Sequence, residues 1–139
     1  MQRGRRIGFD YGDARIGVAV CDPDGILATP LPFLDAKHPK LKVHLTELFA
    51  EYSPIAIYVG LPKHLSGSEG VAVSKVRDFA SVIESLFPIA VSFVDERLTT
   101  VDAARKLREG GKNSQESRAF IDSMAAVSIL ESGLASENR

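Results

Sequence analysis

Arg6-Ile7-Gly8-Phe9-Asp10-Tyr11-Gly12-Asp13-Ala14-Arg15-Ile16-Gly17-Val18-Ala19-Val20 is the stretch that decides how this chain folds. A short apolar run ends on Asp10, and Tyr11-Gly12-Asp13 turns the chain back into a second apolar run. The pattern predicts two strands, 5–10 and 14–21, joined by a glycine-containing turn. Asp22-Pro23-Asp24-Gly25 is a strong turn signal and leads into a third strand, 26–33. Pro30 and Pro32 in that strand cannot donate to ladders on both sides, which sends it to a sheet edge. The chain therefore opens with an antiparallel meander whose third strand is outermost.

The rhythm then changes. Pro39 opens a helix with Leu41, His44, Leu45, Leu48, Phe49 and Tyr52 on one stripe. The continuously apolar, β-branched run 55–59 predicts a buried strand. A second helix carries Ala72, Val76, Phe79, Ala80, Ile83 and Phe87 at helical spacing, and 89–94 is another buried strand. Thr99 with Asp102 caps a third helix that Gly110-Gly111 stops. Asn113 with Glu116 repeats the capping pattern for a last helix running to about Gly133. The order is βββαβαβαα. Right-handed crossovers make the later strands parallel to the first and give the sheet order 3-2-1-4-5. This is an α/β fold with one five-stranded mixed sheet flanked by helices. Ligands in such sheets bind beyond the carboxyl ends of the central strands, where Asp10, Gly60 and Glu96 fall.

At 139 residues the expectation is a single domain spanning 1–139. A chain of this size buries about two-thirds of its unfolded surface, enough for a core without staples. The one cysteine, Cys21, excludes an internal disulfide and a cysteine zinc site, and is read as a small apolar strand residue. Arg3, Arg5 and Arg6 mimic the start of a signal peptide, but Asp10 ends the apolar run too early for one. No stretch is long enough to span a membrane, so no membrane partner is expected. The net charge of −1 gives no overall sign of a polyanion partner, so any nucleic-acid surface must come from local patches.

Three carboxylates carry the chemistry. Asp10 ends strand 1, Asp95-Glu96 follow the fifth strand, and Asp122 interrupts the apolar stretch Phe120 to Leu130 of the last helix. Acids from distant parts of a chain, each on a buried element, point to a hard divalent metal. Each has a plainer rival role. Asp10 can cap the turn through Gly12, and Asp122 can pair with Arg118 one turn earlier. Of the neighbours Asp95 and Glu96 only one faces the site, and Glu96 is preferred, although a bridge to Arg97 competes. The loop from Gly60 to Gly70 permits close approach of a phosphate backbone, with Lys63 and His64 as contacts, and Ser68 caps the helix behind it. Glu69 is better explained by the helix dipole than as a fourth acid. The segment from Arg97 to Arg118 has six basic and three acidic residues. With Arg15 and Lys63, its Arg97, Arg105 and Arg118 are the candidate nucleic-acid contacts. His38 and His44 are structural candidates.

Asp10-Tyr11-Gly12-Asp13-Ala14-Arg15-Ile16-Gly17, Gly60-Leu61-Pro62, Gly67-Ser68-Glu69-Gly70, Asp95-Glu96-Arg97-Leu98-Thr99-Thr100 and Ile121-Asp122-Ser123-Met124-Ala125-Ala126 occur in that order. Together they closely resemble the YqgF/RuvX family of Holliday-junction-resolvase-like nucleases, over roughly residues 5–132. The resemblance implies a ribonuclease-H-like fold and a nuclease of the bacterial cytoplasm dependent on Mg²⁺ or Mn²⁺ at a two-metal site. It implies processing of the 5′ end of 16S ribosomal RNA precursor, or cutting of branched DNA. It carries Asp10, Glu96 and Asp122 over as the metal ligands. Many relatives have a basic run before the last acid where this chain has Asn113-Ser114-Gln115-Glu116-Ser117-Arg118-Ala119, which weakens the phosphate grip expected there. A nucleic-acid-binding factor without cleavage and a nucleotide phosphotransferase of the related actin-like fold are the rival functions. Monomer and homodimer both stay open: a dimer suits symmetric cutting of a four-way junction, and a monomer suits processing of one strand.

Overall fold

The computed structural model describes residues 2–62, 69–96 and 115–138, with the side chains of 69 and 115–122 outside that description. The meander forms as its sequence dictates: β1 (Arg6–Tyr11), β2 (Arg15–Cys21) and β3 (Ala28–Asp35). Then come α1 (Leu41–Tyr52), β4 (Ala56–Leu61), α2 (Glu69–Leu86), β5 (Val91–Asp95) and α3 (Gln115–Glu137). The five strands form one sheet in the order β3-β2-β1-β4-β5. β1 pairs antiparallel with β2, and β4 and β5 run parallel to β1. The expected sheet order and mixed character are thus present. The expected helix at 99–110 lies outside the described residues.

Alternation along the strands sorts the core onto two faces. Ile7, Phe9, Ile16, Val18, Ile57 and Val59 pack with Leu45 and Phe49 of α1 and with Val76, Phe79 and Ile83 of α2. The Phe9 ring meets Phe49 and Phe79 edge to face, with centroids 6.2 and 5.5 Å apart. Ala19, Cys21, Tyr58 and Val94 pack on the other face with Ala126, Ile129, Leu130 and Leu134 of α3. Cys21 is the buried strand residue expected, and burial pushes its thiol pKa up. Among the described residues no helix is long and apolar enough to cross a membrane.

Helix α3 lies very close to the sheet because small residues let it. A Cβ on Gly8 would stand 2.8 Å from Leu130 Cβ and 2.9 Å from the Ala126 carbonyl oxygen. One on Gly133 would meet the Tyr58 ring at 2.6 Å. Gly133 therefore does not stop this helix, as its sequence position led us to expect. It is the seat of the Tyr58 ring, and the helix runs on to Glu137.

Two polar fixtures hold α3 in register. The β2–β3 ladder slips between Ile16 and Val18. At the slip the buried Ser123 hydroxyl accepts from the Val18 N–H at 3.1 Å and donates to the Leu31 carbonyl at 2.5 Å. The side chain completes a ladder that the bulge interrupts. Ser123→Ala orphans one buried donor and one acceptor, each costing about 1–3 kcal/mol. We expect urea unfolding to show a loss of about 2–4 kcal/mol, whereas an unchanged midpoint would show that water replaces the hydroxyl.

The second fixture is an ion pair. Arg6 is fully buried at the start of β1. Its guanidinium donates to Glu137 Oε1 at 2.8 Å and Oε2 at 3.3 Å, and to the carbonyls of Gly4 and Gln2 at 2.5 Å each. The Tyr58 hydroxyl also donates to Glu137. Burial, then the bond to this carboxylate, pushes the Tyr58 pKa far above its ordinary value. For Glu137, burial raises the pKa, but the Arg6 and Tyr58 hydrogen bonds outweigh it and hold the carboxyl below the usual range.

Candidate functional site

The carboxyl ends of β1, β4 and β5 lie side by side, as parallel pairing of β4 with both neighbours requires. A cavity of about 550 Å³ opens there, lined by Asp10, Tyr11, Gly12, Asp13, Pro62 and Glu96, and by α2 residues including Val71, Ala72, Lys75 and Val76. Asp10 sits two residues beyond Gly8, so strand alternation puts it on the α3 face of β1. It is partly buried. The turn behind it is closed by the Gly12 N–H donating to the Arg15 carbonyl at 3.0 Å.

Glu96 follows β5 directly and reaches back across β4. A Cβ on Gly60 would stand 2.8 Å from Glu96 Oε1, 3.0 Å from its Cγ and 2.5 Å from Ile129 Cδ1. The missing side chain at Gly60 is thus the seat of the Glu96 carboxylate. Gly60 follows Val59, which pairs with Phe9 of β1, so the seat lies beside the strand that carries Asp10. Asp95 has a different place. It lines a separate cavity of about 510 Å³ with Tyr58, Ser92, Val94, Ser132 and Ser136, between β5 and α3. The neighbours part company as the pleat demands.

Asp122 belongs to α3, next to the pinned Ser123, and its side chain lies outside the described residues. Among the described residues no three potential ligand side chains gather into a metal-binding group. Of the sequence-predicted acids, Asp10 and Glu96 share the cavity and offer only oxygen donors, which suits Mg²⁺ or Mn²⁺ and not a soft metal. The missing side chain at Gly60 fits this use, because it lets the Glu96 carboxylate settle beside β1, the strand that carries Asp10.

Of the expected nucleic-acid contacts, Arg15 has a described side chain. Its guanidinium lies 5.2 Å over the Phe33 ring and is not among the residues that line the cavity. Lys63, Arg97 and Arg105 lie outside the described residues, as do the side chains of Arg118 and Glu69. His38 and His44 stack near the start of α1, with centroids 4.7 Å apart, and take no part in the cavity. Among the described residues the cavity's basic side chain is Lys75, which the sequence did not single out. Its Nζ lies 3.0 Å from Asp13 Oδ1, and both side chains are largely exposed, at 48% and 66%. Such a bridge contributes only about 0–1 kcal/mol. A signal was available: Lys75 precedes Val76, on the flank of the α2 stripe nearest the strand ends.

Comparison with known proteins agrees with this architecture. Residues 4–136 match the RuvX family model, described as a Holliday junction resolvase. A Streptomyces coelicolor protein named "Putative pre-16S rRNA nuclease" is 50% identical over 139 residues, covering 99% of this chain and 83% of its own length. A Cutibacterium acnes protein of the same name is 45% identical over 129 residues, covering 92% and 80%. Among solved structures, T. thermophilus RuvC in complex with a Holliday junction substrate superposes with a TM-score of 0.63 at 14% identity, covering 97% of this chain and 96% of that one. Fowlpox virus resolvase with its junction DNA gives 0.56 at 11%, covering 97% and 99%. The fold is ribonuclease-H-like. With five motifs in order, a whole-length family match and relatives at half identity, the chain belongs to the RuvX family.

Proposed function

We propose that this chain is a cytoplasmic, divalent-metal-dependent nuclease that hydrolyses phosphodiester bonds in structured nucleic acid, with the 5′ end of the 16S ribosomal RNA precursor as its substrate. The observation that carries the reading is the pair Asp10 and Glu96 lining one cavity at the strand ends, with Glu96 seated over Gly60. The names of the relatives supply the substrate.

Asp10 and Glu96 would hold the metal, with Asp122 as third ligand. Support for Asp122 comes from its neighbour. Ser123 grips Val18, which pairs with Phe9, while Asp10 pairs with the adjacent Gly17. The α3 turn carrying residue 122 is thus fastened one register step from Asp10. A bound ion supplies a water of lowered pKa and neutralises charge on the departing oxygen. The chain's own part is to fix the carboxylates on rigid strand ends and to offer an α2 wall of Val71, Ala72 and Val76 for sugar and base. Nothing in this set requires a covalent protein nucleophile.

Cutting of a four-way DNA junction is the second reading, favoured by the fold shared with junction-bound RuvC. One experiment separates the two. A labelled ribosomal RNA precursor fragment and a labelled four-way junction are each incubated with Mn²⁺, with Mg²⁺ and with chelator. We expect RNA cleavage in metal and none in chelator. Preferential junction cleavage would transfer the enzyme to recombination. Binding of both substrates without cleavage in any metal would replace the nuclease with a non-catalytic binding factor.

A further inference from the structure

We propose that Lys75 grips a backbone phosphate of the substrate, and that Asp13 occupies the ammonium until the phosphate arrives. The proposal rests on the reading of this cavity as a nucleic-acid site. The described lining contains three carboxylates, Asp10, Asp13 and Glu96, and one cation, Lys75. A polyanion entering so acidic a cavity needs a counter-charge from the protein besides any metal. Lys75 rises from the α2 wall beside Ala72 and Val76, and its ammonium reaches the β1–β2 turn, where Asp13 holds it at 3.0 Å.

The Asp13 bridge fits a placeholder. Asp13 is three residues past Asp10 in the exposed β1–β2 turn, and its contact with Lys75 is half in water. Exposed pairs of this kind hold weakly and exchange partners readily. A phosphate outcompetes a single carboxylate oxygen because it offers several anionic acceptors. The lysine is a point charge on a flexible stem, and the neighbouring wall, Val71, Ala72 and Val76, has no side-chain polar atom to read a base edge. The contact is therefore sequence-independent and serves register along the strand.

The test is fluorescence anisotropy of a labelled single-stranded RNA in chelator, where no strand is cut, from about 50 to 200 mM salt. Each phosphate contact on a single strand contributes about 0.7 to the slope of log K against log salt. We expect Lys75→Gln to lower the slope by about that amount and to weaken binding severalfold at low salt. Lys75→Arg should retain the slope, and Asp13→Asn should bind severalfold more tightly. Lys75 is half exposed, so Tm should stay level in all three, and a merely structural lysine would not move a salt slope. An unchanged slope in Lys75→Gln with intact wild-type binding overturns this proposal and leaves the nuclease reading standing, as does weaker binding by Asp13→Asn. Failure of the wild type to bind either this RNA or a four-way junction overturns the nucleic-acid reading itself.

Discussion

Asp10→Asn is expected to cut strand cleavage about a thousandfold or more and to leave the fold intact. Asn keeps the size and one carbonyl oxygen of Asp but removes the negative charge that a divalent ion needs. A metal ligand contributes several kcal/mol of charge stabilisation, and each 1.36 kcal/mol is a factor of ten in rate. The stability readout discriminates as strongly as the rate. Asp10 is only partly buried at the strand end, so the near-isosteric Asn should be accommodated there. Tm in chelator should therefore stay level. If Asp10 served only to brace the turn through Gly12, the variant would lose stability and activity together. Cleavage at wild-type rate, or a Tm that falls in step with activity, would sink the assignment.

Glu137→Ala is expected to cost about 3–5 kcal/mol, the usual penalty for leaving one partner of a buried pair uncompensated. The charge left behind is Arg6, which has no exposed surface. Against a total stability of about 5–15 kcal/mol this is a large fraction, worth about 10–20 °C in Tm. Joint replacement, Arg6→Met with Glu137→Met, should recover most of the loss, because the ions contribute little beyond cancelling each other's desolvation. The pair also predicts a pH dependence with a definite sign. The Glu137 carboxyl titrates below its ordinary value in the folded state. Its contribution is therefore complete above the ordinary glutamate pKa of about 4.3, and drains away as the pH falls through the lower folded value. Wild type should lose stability across that acid window more steeply than the double Met variant. Parallel stability–pH curves for the two would refute the coupling.

The sheet was legible because its signals are local and mutually consistent. Two prolines sent β3 to an edge, and crossover handedness ordered the rest. Boundaries slipped where a side chain took over backbone groups. Strand β3 begins at Ala28, two residues later than its apolar run. The Asp22 carboxylate collects the N–H groups of Asp24, Ile26 and Leu27, which prolongs the turn and holds that carboxyl below the usual range, the Leu27 bond foremost. Helix α1 begins at Leu41 and not at Pro39, because the His38 carbonyl and Nδ1 take the N–H groups of Leu41 and Lys40. Of the site, Asp10 and Glu96 were visible as acids at strand ends. Lys75 was not, since a lysine flanking an apolar stripe looks like any solvated helix face. The Arg6–Glu137 pair was beyond sequence reasoning, because its partners stand 131 residues apart and Arg6 sits among other arginines that suggest an exposed start.

The two rims of the sheet are chemically unequal. Along β3, Pro30 and Pro32 delete two amide donors, so that rim offers a broken template to an incoming strand. Strand β5 carries no proline and closes the other end of the sheet order. Filament growth by strand addition needs two receptive rims on every copy, one to accept and one to be accepted. A molecule with one rim disabled can add a single neighbour at most, and the second copy then presents only its own disabled side. The two prolines of β3 thus act against open-ended strand addition, whatever the β5 rim meets.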